Sequence, residues 1–286
     1  MLLCVSGAHG TSSVSSSINR CLIDCDLDSN NKLDLHKCSI HDEDITSGDL
    51  VNCLDKVGRE NIETLSLGDN FFTTLPEGLF DGMNSLVNLW FNDHEMESIP
   101  ENIFDGLVSL ESLSFNDGKI TAVPEGLFSG LGALSVLDFG ENEISSLPLG
   151  VFDDLLSLIS LDFGDNDIFS LPEGVFDNLE SLESIWMEDN NFIDLSPGIF
   201  SNLRSLDFLN LQGNPLNCLP FSFANTIYVE DNTPDCTDGP VDVDSEDFVG
   251  DQNGGVGGIT SGASTGHSVL GGWILLVGIT TALVII

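Results

Sequence analysis

The sequence predicts an α/β solenoid with a parallel sheet along one face. A frame of 24 residues, L-x-x-L-x-L-x-x-N-x-L-x-x-L-P-x-x-L-F-x-x-L, recurs without a slip of register, which indicates stacked copies of one unit. Each copy opens with alternating apolar and polar residues, the pattern of a strand with one buried face. Copies begin at Ile62, Leu86, Leu110, Leu134, Leu158 and Leu182, with a partial copy from Leu206.

The residue that closes each strand is suited to a buried hydrogen-bonding ladder. An asparagine there can bond the backbone groups of the bend and of the neighbouring coil, so that stacked copies support one another. His94 and Gly118 interrupt the series, and we expect the coils that contain them to bend less uniformly. The asparagines of the series are Asn70, Asn142, Asn166, Asn190 and Asn214.

The second half of each copy predicts a return segment packed by aromatic rings. A proline after an apolar residue, as in Leu75-Pro76 and Leu171-Pro172, fixes the backbone and prevents a further ladder strand. One phenylalanine follows in each coil, and we expect these rings to stack as a spine inside the convex side. They are Phe80, Phe104, Phe128, Phe152, Phe176 and Phe200.

Two of the units, VPEGLFSGLGALSVLDFGENEISS from Val123 to Ser146 and LPEGVFDNLESLESIWMEDNNFID from Leu171 to Asp194, resemble the typical, extracellular class of leucine-rich repeat. That class is found in Toll-like receptor ectodomains and variable lymphocyte receptors. The resemblance covers roughly residues 62–220. It implies a curved horseshoe with the parallel sheet on its concave face, cysteine-rich caps at both ends, and ligand binding by concave or lateral residues.

The cysteines lie outside the whole repeats, where the end coils of a solenoid need covering. We expect Cys218 to pair with Cys236, while the four cysteines before the repeats allow three pairings that the sequence cannot separate. A zinc site is the alternative, but there is no C-x-x-C spacing to favour it. The four cysteines before the repeats are Cys21, Cys25, Cys38 and Cys53.

The chain ends predict export and attachment to a membrane. The small residues Ser261, Gly262 and Ala263 precede a spacer and an apolar tail without Lys or Arg, the order typical of a glycosylphosphatidylinositol (GPI) signal attached at Ser261. A membrane span by the tail is the alternative, since its length approaches the roughly 20 residues required. The predicted segments are 1–15, a weak or truncated signal peptide; 16–61, the N-terminal cap; 62–217, the repeats; 218–236, the C-terminal cap; 237–268, an acidic Gly/Ser stalk; and 269–286, the tail.

The chain is strongly acidic. Seven Lys and Arg residues face 47 Asp and Glu residues, a formal net charge of −40, which argues against nucleic acid as the main partner. Part of the charge is patterned, because an acidic residue precedes the ladder position of six coils and would repeat about every 4.8 Å along one edge of the sheet. A cation or a basic ligand would relieve the repulsion; inheritance through duplication of the repeat is the alternative. We call these residues the acidic ladder: Asp69, Asp93, Asp117, Glu141, Asp165 and Asp189.

The concave face carries the candidate ligand-binding residues. The polar position between the two buried residues of the strand is Trp90 in one coil and Trp186 four coils later, with Asp138 and Asp162 between them. Core packing does not explain tryptophan at a solvent-facing position, and exposed tryptophan beside charge is common in binding hot spots. Glycines in the middle coils suggest a floor where a ligand approaches the backbone closely. The predicted ligand-binding residues are Trp90, Asn92, Asp138, Asp162, Trp186 and Glu188.

These features favour a recognition or adhesion protein on the extracellular face of the plasma membrane, or secreted. The expected ligand is a protein, peptide or glycan, with basic groups, and signalling would require a separate transmembrane co-receptor. The alternative is an acidic structural or wall-associated surface protein that binds cations. The repeats hold no Ser/His/Asp or Cys/His set, so the sequence predicts neither enzymatic activity nor a cofactor nor a metal site.

Overall fold

The structure is a computed structural model that describes residues 22, 25–218 and 228–230. A short strand and two helices precede the repeats, and each repeat then contributes one strand of three residues. The elements are β1, Lys32–Asp34; α1, Asp42–Thr46; α2, Asp49–Val57; a 3-10 helix, Arg59–Asn61; β2, Thr64–Ser66; β3, Asn88–Trp90; β4, Ser112–Ser114; β5, Val136–Asp138; β6, Ser160–Asp162; β7, Ser184–Trp186; β8, Phe208–Asn210; and β9, Tyr228–Glu230.

The strands form one parallel sheet in which β1 to β9 lie in chain order. The register follows the repeat, since Leu65 pairs with Leu89, and Leu113 with Leu137. A residue therefore lies beside its counterpart in the next coil, and each position of the frame becomes a row across the sheet. The predicted solenoid with a parallel sheet is confirmed.

The return segments of the repeats are turns. In the described part of the chain, every helix lies before β2. The sequence gives the reason in its recurring Pro-x-Gly run, where proline fixes φ and the glycine adopts a left-handed conformation. Gly150 and Gly174 have φ of 70° and 72°, which an L side chain rarely adopts. A helix cannot continue through such a residue without strain.

Two rows of phenylalanine fill the core. The predicted spine stacks in pairs, with ring centroids 6.3 Å apart for Phe80–Phe104 and for Phe152–Phe176. A second row, not predicted from the sequence, comes from the inward residue after the strand. Its centroids are 5.5–5.9 Å apart, and its members are Phe91, Phe115, Phe139 and Phe163.

The asparagine ladder joins each coil to the one before it. The Asn142 side chain donates to the carbonyls of Phe115, Phe139 and Gly140, and its Oδ1 accepts the Ile120 amide at 3.1 Å. Asn166 repeats the pattern one coil later. These bonds satisfy buried backbone groups that would otherwise cost about 1–3 kcal/mol each.

The disulfides sit at both ends of the repeats. Cys25 and Cys53 are bonded, with Cα atoms 5.6 Å apart, which selects among the pairings that the sequence left open. Cys38 forms a disulfide as well, and so does Cys218. Cys21 and Cys236, the predicted partner of Cys218, lie outside the described residues. The predicted tail and Ser261 lie outside them too. None of the helices in the described part of the chain has the length and apolar character of a membrane span.

Candidate ligand-binding face

The sheet places the four central candidates in one row. Ser114 pairs with Asp138, Asp138 with Asp162, and Asp162 with Trp186, while Trp90 precedes Ser114 in the same row. The leucine or isoleucine before each of these residues is buried, as Leu137 and Leu161 are, so the row points away from the core. One strand, β4, separates Trp90 from Asp138.

Asp138 is held by the polar side chains of the preceding coil. Its Oδ2 accepts a hydrogen bond from Asn116 at 2.9 Å and lies 3.0 Å from the Ser114 hydroxyl. The same hydroxyl is 2.8 Å from Oδ1 of Asn92, which connects that predicted residue to the network. The Gly140 amide donates to Asp138 Oδ1 at 3.2 Å. These contacts fix the carboxyl group over the middle of the sheet.

Asp162 lies between Asp138 on one side and Glu188 on the other, and we call these three residues the carboxyl cluster. A Cβ at Gly140 would lie 3.2 Å from Oδ1 of Asp162 and 3.6 Å from Oδ1 of Asp138. At Gly164 it would lie 3.0 Å from Cδ of Glu188. The two glycines therefore make room for carboxyl groups of the protein itself. The expectation that they leave the backbone open to a ligand was wrong, because that space is already filled.

Burial and mutual repulsion change the acidity of the cluster. Burial raises the pKa of Asp138, although the hydrogen bonds from Gly140 and Ser114 lower it in part. Burial and then the charges of Asp138 and Glu188 raise the pKa of Asp162 to about 8. Asp162 is therefore largely protonated at neutral pH, and the cluster carries less negative charge than its composition indicates. A positively charged group placed there would favour release of that proton.

An aromatic pair borders the cluster at its C-terminal side. The rings of Trp186 and Phe208 are tilted at 42° with centroids 5.1 Å apart. Phe208 was not among the predicted site residues, which were taken from the outward position after the first buried residue of the strand. Phe208 occupies the position before that buried residue, and this position also faces outward. Val136 occupies the same position and is 39% exposed. Alternation along the strand could have identified both residues.

Trp90 occupies a different environment from Trp186. Its indole Nε1 donates to the hydroxyl of Ser112 at 3.2 Å, and the side chain is half-buried. Its own coil presents Asn88 and Asn92 on this face, whereas the coils of Asp138, Asp162 and Trp186 present the carboxyl cluster. The two predicted tryptophans therefore lie in different surroundings on one face: Trp90 beside amide and hydroxyl groups, and Trp186 beside the carboxyl cluster.

The acidic ladder shares an unusual backbone conformation. All six residues have positive φ, between 45° for Asp189 and 55° for Asp93, and Gly213 continues the series at 72°. Aspartate is among the few residues that adopt this left-handed conformation readily. The turn after the strand thus gives a structural reason for the recurring Asp. Among the described residues there is no group of three or more His, Cys, Asp or Glu arranged to hold a metal ion.

Several ladder carboxyl groups are protonated more readily than usual. Burial and a hydrogen bond shared with Asp117 raise the pKa of Asp93. Burial, followed by the charges of neighbouring ladder residues, raises the pKa values of Glu141 and Asp165. The repulsion expected from the sequence therefore shows in these raised pKa values. Cation binding by the ladder stays a prediction.

A family model for leucine-rich repeats matches residues 60–117, 109–168 and 158–216, more than half of the chain. The chain therefore belongs to the leucine-rich repeat family. Among solved structures it is similar to a crystal structure of a TLR13–ssRNA13 complex, with 27% sequence identity and a TM-score of 0.53. That similarity covers 59% of this chain and 23% of the other. No curated protein matches the chain.

Proposed function

We propose that the protein is a recognition module that binds a basic protein or peptide on the concave face of its repeats. The observation that carries the proposal is the carboxyl cluster beside the Trp186–Phe208 pair. A lysine or arginine side chain offers a cation for Asp138 and Asp162 and an alkyl stem or planar face for the rings.

The acidity of the face favours a basic ligand over nucleic acid. The solved complex to which the chain is similar contains ssRNA13, but phosphate binding depends on clustered Lys and Arg. The concave rows of this chain, at the strand residues and the first outward residue after them, contain Asp138, Asp162 and Glu188 and no Lys or Arg from β2 to β8. The net charge of −40 acts in the same direction.

Oligolysine and single-stranded RNA are the probes that test this proposal. We expect the intact protein to bind oligolysine, and the double variant Asp138→Asn/Asp162→Asn to bind it more weakly, by about tenfold or more. The matched control is Glu125→Gln/Glu173→Gln, which removes two exposed carboxyl groups of the return segments. Equal loss in both double variants would show that only net charge attracts the probe. Tight RNA binding without oligolysine binding would contradict the proposal.

We propose further that the protein is exported. The Cys25–Cys53 disulfide and the disulfide-bonded Cys38 and Cys218 support this proposal, since disulfides persist in oxidising compartments. Attachment through a lipid at Ser261, with the repeats on the extracellular face of the plasma membrane, is the form of export that the sequence favours.

A further inference from the structure

Gly118 and His94, the two residues that interrupt the asparagine ladder, form one unit in the structure. The imidazole of His94 occupies the volume that a side chain at position 118 would take. A Cβ placed on Gly118 would lie 2.7 Å from both ring nitrogens of His94. The histidine is 5% exposed. The absence of a side chain at 118 is therefore what admits the ring.

The hydrogen bonds of His94 define its protonation state. Nδ1 accepts the backbone N–H of Met96 at 3.2 Å, so Nδ1 carries no proton. Nε2 lies 3.3 Å from the carbonyl oxygen of Phe115, to which only a protonated Nε2 can donate. The ring is thus the neutral tautomer with its hydrogen on Nε2. Burial lowers the pKa of His94, which agrees with a neutral ring.

His94 accepts a backbone amide of its own coil, whereas in the regular coils that amide is accepted by an asparagine of the following coil. In the regular coils the asparagine Oδ1 accepts the amide 22 residues earlier, as Asn142 does for Ile120 and Asn166 for Ile144. By the same spacing, the residue at 118 would accept the amide of Met96. Gly118 has no side chain to do so, and His94 Nδ1 accepts that amide instead.

The ring faces acidic groups from three coils. A cleft of about 250 Å³ opens beside His94 and is lined by its own-coil neighbours Asp93 and Glu95, by Asp69 of the preceding coil, and by Asp117 of the next. Lys119 also lines it and forms an ion pair with Glu95. The charges of Asp93 and Glu95 favour an imidazolium. His36 interacts with Asp93, and Glu141 continues the acidic series in the following coil.

We propose that His94 and Gly118 make the junction between β3 and β4 an acid-sensitive hinge within an otherwise uniform ladder. Protonation of Nδ1 converts the acceptor of the Met96 amide into a second donor, and that hydrogen bond is lost. The imidazolium then moves towards Asp93, Asp69 and Asp117, where its charge is stabilised. The Met96 amide and the space beside Gly118 are left without the ring, and the two coils separate locally.

The direction of the pH effect follows from the depressed pKa of the buried ring. We call the junction closed when His94 holds the Met96 amide and open when the two coils have separated. The closed junction is fully favoured above about pH 6.5, because there His94 is neutral in the open form as it is in the closed form. Below that value the opened form takes up a proton and the closed form resists it. Opening therefore becomes easier by up to about tenfold for each pH unit until the buried ring itself titrates.

Hydrogen exchange of the full-length protein at about pH 7.5 and pH 5 tests the hinge, after correction for intrinsic exchange rates. We expect protection of the Met96 amide to fall by about tenfold or more relative to Ile144, its counterpart in the regular coils. The matched variant is His94→Asn/Gly118→Asn, which restores the regular ladder. In that variant Met96 and Ile144 should respond to pH alike.

Imidazole nitrogen NMR of the wild-type protein gives an independent readout that requires no variant. At about pH 7.5 the His94 signals should show a proton on Nε2 and none on Nδ1. A proton on Nδ1, unchanged relative protection of Met96 at acidic pH, or the same loss of protection in the double variant would each overturn the hinge.

Discussion

Individual residues on the concave face determine both its charge and its response to pH. Asp138, Asp162 and Glu188 crowd together because Gly140 and Gly164 leave space that larger residues would occupy. Burial, and then the charges of its neighbours, raise the pKa of Asp162 to about 8. The site is therefore a weak acid near neutrality, and its affinity for a cation should strengthen as pH rises.

Replacement of Asp162 should flatten the pH dependence of stability. Its pKa rises on folding to about 8, so its contribution to the free energy of unfolding is full below about pH 4 and is lost as pH rises through 8. We expect the melting temperature of the wild type to fall between about pH 6.5 and 9, and that of Asp162→Asn to fall less. Thermal unfolding followed by circular dichroism measures both, with Glu173→Gln as a control that should keep the wild-type slope.

Gly164 offers a test of the space that Glu188 occupies. A Cβ there would lie 3.0 Å from Glu188 Cδ, whereas at Gly132 the nearest atom would be 3.8 Å away. Neither glycine has a positive φ, so alanine at both positions should reduce the entropy of the unfolded chain alike. We expect Gly132→Ala to leave stability unchanged or raise it by up to about 1 kcal/mol, and Gly164→Ala to be less stable than Gly132→Ala. Urea denaturation compares them, and equal stability would show that Glu188 yields without cost.

At the scale of elements, each coil depends on its neighbours through the Phe rows and the asparagine ladder. Damage at one end should therefore spread inward rather than unfold the whole solenoid at once. The Cys25–Cys53 bond closes a separation of 28 residues, for which chain entropy gives about 3.5 kcal/mol of stabilisation.

Loss of that bond should weaken the N-terminal end first. In Cys25→Ser/Cys53→Ser we expect amide protection to fall in α2 and β2 before it falls in β6, as measured by hydrogen exchange. The cap packs on the first coil, where Arg59 donates to the carbonyl of Leu79, so we expect the effect to begin there. A uniform decrease across all strands would contradict the nearest-neighbour account and indicate a single cooperative unit.

The sequence predicted the elements better than it predicted the site. Strict periodicity determined the strands, their register and the Phe80 row, because each depends on a pattern that recurs in every coil. The carboxyl cluster depends on side chains from different coils and on which glycine volume each fills. His94 accepts the Met96 amide that an asparagine at position 118 would accept. This exchange likewise depends on three-dimensional contact, so the sequence could show only that the ladder was interrupted there.

At the scale of the whole molecule, the mode of attachment is a separate question from binding. Ser261 and the tail 269–286 lie outside the described residues, so GPI attachment remains a prediction from the order of small residues, spacer and apolar tail. Treatment of intact cells with a phosphatidylinositol-specific phospholipase should release the repeats into the medium. Retention on the membrane, with Ile286 present in the mature chain, would establish a membrane span instead.

The aromatic part of the face is tested by comparison of its two tryptophans. Trp186 borders the carboxyl cluster and Trp90 does not. We expect Trp186→Ala to cost about 1–2 kcal/mol in binding to oligolysine with the fold intact, and Trp90→Ala to cost less. Fluorescence titration measures both affinities. A larger loss for Trp90→Ala would place the basic ligand in the other half of the face.

Calorimetric titration with oligolysine at about pH 7, in buffers of different ionisation enthalpy, tests the central claim most directly. If a basic group binds at the carboxyl cluster, Asp162 must lose the proton that it holds up to about pH 8. The measured heat should then depend on the buffer and report release of up to about one proton for each bound ligand. That release should disappear in Asp162→Asn. Binding without proton release, with equal affinity in wild type and variant, would show that the ligand binds elsewhere.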